Sequence, residues 1–216
     1  MEKYQAVIFD LDGVICFTDE YHFQAWKRIA DELDIPFDRA QNNRLRGVSR
    51  MASLEIILEK HQGDPFSDEE KQSLESDKNE IYKELLSQMS EKNLSDEVKN
   101  TLDTLRDRGM KLAIGSSSKN APYILSRIGL DNYFDAVSDG NNISYSKPHP
   151  EVFLKAAEML GIEPKYCLVV EDAVSGAEAG HAAGMKVACL GDASEKAAGD
   201  YNLHSFSELI TIEKMN

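Results

Sequence analysis

The chain has 216 residues, 42% of them hydrophobic and 29% charged, which is enough for one sizeable core and a second, smaller one. A net charge of −14 argues against a nucleic-acid backbone as partner, since that needs a concentrated basic surface. No apolar run approaches the roughly 20 residues of a membrane helix, and the opening MEKYQAVIFDLDG is not a signal peptide, because two aspartates interrupt its apolar run and no small-residue cleavage site follows. The expected compartment is the cytosol. Cys16, Cys167 and Cys189 show no metal-type spacing, and the last two lie in apolar, strand-like segments, so buried free thiols are expected.

In chain order, YQAVIF at 4–9 has the apolar run of a buried parallel strand. Residues 18–90 then read as helices only. A helix over 20–33 places Phe23, Trp26, Ala30 and Leu33 on one stripe, so Trp26 is expected in a local core. Ser49 can cap a helix running through Leu54, Ile57 and Leu58. Ser67 with Glu70 makes a capping box for a helix reaching toward Met89. From there strands and helices alternate: a helix over 95–108 stopped by Gly109, the strand KLAIGS at 111–116, and a helix over 120–128 stopped by Gly129. They continue with a helix over 150–160 stopped by Gly161, CLVVED at 167–172, a helix over 174–183 stopped by Gly184, and KVACLG at 186–191. Strand and helix in alternation predict an α/β protein, a parallel sheet with helices on both faces. The helical block interrupting it predicts an inserted cap domain over 17–91, with the α/β core formed by 1–16 and 92–216.

In such a sheet, ligands bind at the carboxyl ends of the strands, and the sequence puts unusual polar groups there. Asp10-Leu11-Asp12-Gly13 follows the first strand; two carboxylates so close repel one another unless a cation or a proton intervenes. Ser116-Ser117-Ser118-Lys119-Asn120 follows the second and opens a helix, a combination suited to phosphate. Lys147 precedes Pro148, and Glu171-Asp172 closes CLVVED. Each taken alone could be a cap or a surface residue; together they describe a site for phosphate and magnesium. A calcium loop would need a glutamate at the twelfth position from Asp10, where Tyr21 stands.

DLDGV at 10–14, Ser116 after a strand, Lys147 before a proline and the Glu171-Asp172 pair resemble the four ordered motifs of the haloacid dehalogenase superfamily. The resemblance implies a Rossmann-like core and a mechanism in which Asp10 attacks phosphorus and becomes phosphorylated. It also implies Mg²⁺ held by Asp10, the backbone carbonyl of Asp12 and Asp172, with Glu171 in the same acidic set. Lys147 and Ser116 would hold the transferring oxygens, and Asp12 would act as general acid and base. Three further pieces, DEYHFQAWK at 19–27, LRGVSR at 45–50 and SSSKN at 116–120, look like the β-phosphoglucomutase family. That family turns β-glucose 1-phosphate into glucose 6-phosphate through β-glucose 1,6-bisphosphate, which serves as intermediate and activator, so two phosphate grips are implied. Arg50 would supply the distal one from the cap, with Ser118, Lys119 and Asn120 contributing from the core. Gly47 and Val48 would approach the sugar, Thr18 would mark the hinge, and His22, Ser53 and Lys78 would be hydrogen-bond partners. Closure of the cap would bring Arg50 over the core site.

Each cap residue has a plainer reading. Thr18 and Ser49 can be helix caps, His22 a satisfied helix residue, and Lys78 one solvated lysine among the many charges of its helix. Arg46 stands where the family carries lysine, keeping the charge but changing donor geometry. Ser117 replaces a small apolar residue and contributes its backbone amide in either case. The competing enzyme reading is a sugar-phosphate phosphatase that uses the same Asp10 but lets water attack. A third reading, a silent phosphosugar-binding module, sits poorly with the intact Asp10, Asp12, Lys147 and Asp172. The expected partner is a small phosphosugar, and the expected state is a monomer.

Overall fold

The computed structural model describes residues 3–45 and 48–212. The chain divides into two compact units, Met1–Phe17 with Ser90–Asn216, and Thr18–Met89.

Among its described residues the second unit is helical: α1 (Asp19–Glu32), α2 (Arg39–Asn43), α3 (Arg50–Leu58) and α4 (Asp68–Leu86). The local chemistry at each start accounts for the boundaries. Ser49 accepts the Ala52 amide at 3.2 Å, and Ser67 and Glu70 form the reciprocal capping box. The apolar stripe of α1 buries Trp26, Ile29 and Ala30 with Leu54 and Ile57 of α3, making a core of its own. Burying such side chains contributes about 1.5–3 kcal/mol each. Trp26 is therefore a core residue. Short α2, with Asp38 accepting the Gln41 amide, was not foreseen; five residues carry too little periodicity to read.

The other unit holds a six-stranded sheet among the described residues: β1 (Ala6–Phe9), β2 (Lys111–Gly115), β3 (Ala136–Ser138), β4 (Cys167–Glu171), β5 (Lys186–Cys189) and β6 (Tyr201–Asn202). Their order is β3-β2-β1-β4-β5-β6, and every neighbouring pair is parallel. Helices α5 (Asp96–Asp107), α6 (Ala121–Arg127), α7 (Glu151–Leu160), α8 (Val174–Ala182) and α9 (Gly191–Glu195) run between strands or follow them. Continuous burial of β1 and β4 is what their apolar runs require at the sheet centre. One core layer gathers Ile8, Phe153, Ala156, Val169 and Val187. The outer strands β3 and β6 were missed, since three and two residues with polar neighbours give no strand signal. Cys16, Cys167 and Cys189 are buried free thiols.

This strand order reverses direction between β1 and β4, the point where open parallel sheets form their ligand crevice.

Candidate active site

Asp10 stands one residue beyond β1. Phe9 pairs in register with Val170 of β4 and Ile114 of β2, and the Asp10 amide donates to the Val170 carbonyl at 2.9 Å. The parallel registers therefore bring Asp10, Glu171 and Ser116 to one edge of the sheet, although they are far apart in sequence. Lys147 enters from the loop between β3 and α7. Its Nζ donates to Asp10 Oδ1 and, at 2.7 Å, to Glu171 Oε1, with the Phe153 ring 4.7 Å away. Glu171 Oε2 accepts the amides of Asp172 and Ala173, at 2.8 and 2.9 Å. Both oxygens of Glu171 are thus engaged, one by Lys147 and one by its own backbone turn. A side chain at Gly176, in the first turn of α8, would collide with the Glu171 carboxylate. That glycine is what lets the helix start so close to the acid.

The charges explain how tightly this set is coupled. Lys147 is 5% exposed; burial alone would lower its pKa, but Asp10 and Glu171 hold it above the ordinary lysine value. The Asp10 carboxyl is pushed up by burial, pulled down by Lys147, and pushed up again by Glu171, Asp12 and Asp172. Asp10 and Glu171 thus share one buried ammonium, while Asp12 and Asp172 add negative charge around Asp10. Gly13 adopts φ +92°, and a side chain there would overlap the Asp172 carboxylate. The Asp172 carboxylate therefore lies against the Asp10–Gly13 turn. Among the described residues no three acidic, imidazole or thiol groups form a ready metal cluster. The ligand set suggested by the motifs is different in kind: two carboxylates and a backbone carbonyl. Hard oxygen donors with surplus negative charge fit a cation such as Mg²⁺.

Ser116 is buried at the end of β2. Its amide donates to the Ser138 carbonyl at 3.0 Å, and its Oγ accepts the Ser118 amide at 3.1 Å; Ser118 Oγ in turn accepts the Asn120 amide at 3.2 Å. The run is braced from behind. Gly140 donates its amide to the Ser118 carbonyl at 3.2 Å, and Asn141 Nδ2 donates to the Lys119 carbonyl at 2.9 Å. Sequence reasoning missed this brace, although the polar DGNN after β3 was its only available signal. Ser117 Oγ is buried and has no hydrogen-bond partner among the described residues. An orphaned hydroxyl of this kind costs about 1–3 kcal/mol.

The helical unit gathers a second set. Lys78, on α4, is 2% exposed, which corrects the solvated reading. Its Nζ lies 2.9 Å from His22 Nδ1, 4.4 Å from the Tyr82 ring centre and 5.0 Å from that of Trp26. The His22 ring stacks on Tyr82 with centroids 4.1 Å apart. Burial first, then Lys78 and Arg50, hold the His22 pKa well below the ordinary imidazole value, so the imidazole is neutral and accepts from the lysine. Tyr82 was not foreseen; its spacing of four from Lys78 on a helix was the usable signal. Arg50 has a side chain 23% exposed, and its one ion-pair partner among the described residues is Glu75, 3.9 Å away. Ser53 donates its hydroxyl to the Ser49 carbonyl at 3.0 Å, a bond internal to α3. Thr18 is buried at the N-cap of α1, but its side chain does not cap. Val48 is exposed. Arg46 and Gly47 lie outside the described residues.

A doubly wound sheet whose strand ends carry an aspartate, a serine and an acidic pair, met by a lysine from the β3–α7 loop, is an arrangement suited to phosphoryl transfer. The model of the haloacid dehalogenase-like hydrolases matches residues 4–184. β-Phosphoglucomutase of Bacillus subtilis is 41% identical over 213 residues, spanning 98% of this chain and 94% of that protein. Fructose-1-phosphate phosphatase of Escherichia coli is 33% identical over 185 residues, spanning 85% and 95%. A crystal structure of β-phosphoglucomutase from Clostridium difficile superposes with a TM-score of 0.90 at 34% identity, covering 99% of this chain and 97% of that one. The chain is a member of the haloacid dehalogenase-like hydrolase family. Among the described residues no helix is long and apolar enough to cross a membrane.

Proposed function

We propose that this enzyme is a phosphosugar mutase, a monomer that converts β-glucose 1-phosphate into glucose 6-phosphate through β-glucose 1,6-bisphosphate. One carboxylate oxygen of Asp10 forms a bond to phosphorus while the bond from phosphorus to the departing sugar oxygen breaks. Asp12 gives that oxygen its proton. In the return step Asp12 takes the proton of the attacking sugar hydroxyl, whose oxygen bonds to phosphorus as the Asp10–phosphorus bond breaks, and both aspartates are restored. Lys147, steadied by Glu171, and Ser116 hold the phosphoryl oxygens and stabilise charge that grows in the transition state. Asp10, the backbone carbonyl of Asp12 and Asp172 would hold Mg²⁺, whose positive charge offsets the repulsion between carboxylate and phosphate. Glu171 belongs to this set through Lys147 and the turn at Asp172.

The observation that carries the mutase over the phosphatase is Arg50. Its side chain is 23% exposed, its guanidinium has five donors, and its one ion-pair partner among the described residues stands beyond hydrogen-bond range. A hydrolase of monophosphates has no need of a second phosphate grip; a mutase working through a bisphosphate does. The mutase and phosphatase relatives together support phosphoryl transfer on a sugar, and the extensive likeness to mutases supports this choice between them.

The test supplies β-glucose 1-phosphate, Mg²⁺ and a trace of β-glucose 1,6-bisphosphate, and follows glucose 6-phosphate and inorganic phosphate in parallel. Glucose 6-phosphate with little phosphate release is expected, and the Asp10→Asn variant should form neither product. Phosphate release without isomerisation would make the enzyme a phosphatase.

A further inference from the structure

Glu75 has no part in the motifs or in the chemistry above, yet among the described residues it is the acidic side chain nearest Arg50. Arg50 is the first residue of α3, and Glu75 lies on α4 with Lys78 three residues on and Tyr82 seven on, so the three share one face. The Glu75 carboxylate is 27% exposed and stands 3.9 Å from Arg50 Nε, too far for a hydrogen bond. It therefore neutralises part of the Arg50 charge without occupying its donors. Glu80, the next acidic group felt by Arg50, is paired with Lys83 at 2.9 Å, which leaves Glu75 as the local counter-charge. Arg50 also acts on Tyr82 and, together with Lys78, on the neutral His22.

We propose that Glu75 is a specificity-determining counter-charge that weakens the hold of Arg50 on the phosphate that is not being transferred. An anion taking the free donors of Arg50 would sit within several ångströms of the Glu75 carboxylate and be repelled by it. Glu75 thereby limits how long a bisphosphate stays in one orientation, which a mutase must limit if the second phosphate is to reach Asp10. This rests on Arg50 gripping the distal phosphate, as proposed above.

Two substrates test it. β-Glucose 1-phosphate, with the bisphosphate as activator, uses both grips; p-nitrophenyl phosphate offers one phosphate, to the Asp10 site alone. Glu75→Gln keeps the shape and the helix and removes the charge. It should lower KM for β-glucose 1-phosphate by about 3–10-fold, the size expected for losing one repulsion in a partly screened site, and leave p-nitrophenyl phosphate kinetics unchanged. Arg50→Lys should raise KM for the sugar phosphate, and should abolish the gain when combined with Glu75→Gln. An unchanged or raised KM in Glu75→Gln, with Arg50→Lys behaving as stated, overturns the role of Glu75. If Arg50→Lys leaves KM unchanged, the distal grip itself is wrong and the role of Glu75 falls with it.

Discussion

Each of the two units buries a lysine, and the two lysines are treated in opposite ways. Lys147 lies between the carboxylates of Asp10 and Glu171, with Asp12 and Asp172 adding more negative charge nearby. Lys78 faces a neutral imidazole and two aromatic rings, with the Arg50 guanidinium close enough to act on the same histidine. The α/β unit therefore carries surplus negative charge at its strand ends, and the helical unit sets one buried ammonium against an imidazole and aromatic rings. The first suits a cation and a nucleophile; under the proposed function the second would hold an anion and release it. A buried lysine by itself indicates neither, because its partners decide what it is for.

The largest effect should come from Lys147→Met, which breaks the core half of this contrast. It leaves two buried carboxylates without their cation, so the urea midpoint should fall by an amount equivalent to about 3–5 kcal/mol. Turnover should drop by about 10²–10³-fold through loss of one phosphoryl-oxygen donor. A variant of unchanged stability would mean that water or ions satisfy Asp10 and Glu171 without the lysine.

Ser117→Ala is next and separates stability from function. Because Ser117 Oγ has no partner among the described residues, removing it should leave stability unchanged or slightly raised. If the hydroxyl turns to the phosphate when one binds, affinity for inorganic phosphate should weaken by about 10-fold, the size of one charge-assisted hydrogen bond. Loss of stability with unchanged phosphate binding would make Ser117 a packing residue.

The gentlest test concerns the helical unit. His22 is neutral in the folded chain, with a pKa well below the ordinary 6.5. Below about pH 6.5 the unfolded chain binds a proton that the folded chain refuses. The stability linked to His22 is complete above that pH and declines as pH falls beneath it, by at most about 1.4 kcal/mol per pH unit. Urea midpoints between pH 7.5 and 5.5 should fall, and His22→Gln should flatten the slope. An unaltered slope in the variant would place the acid sensitivity elsewhere.

Much of this was legible in the residues themselves. The apolar runs at β1, β2, β4 and β5, the caps at Ser49 and Ser67 and the polar clusters after the strands are local signals, carried by side-chain periodicity and a few hydrogen-bonding groups. They suffice for a parallel sheet interrupted by helices and for Asp10, Ser116, Lys147 and Glu171-Asp172 as a set. Tertiary structure decided what those signals could not. It placed Asp10 beside Glu171 through the β1–β4 register, and set the Ser138–Asn142 loop behind the serine run. It buried Lys78 against His22 in a helix that reads as solvated, because burial depends on which neighbour a helix face meets and not on the composition of that face. Glu75 became notable only by its distance to Arg50, two residues on different helices whose charges interact through space and leave no trace in sequence spacing.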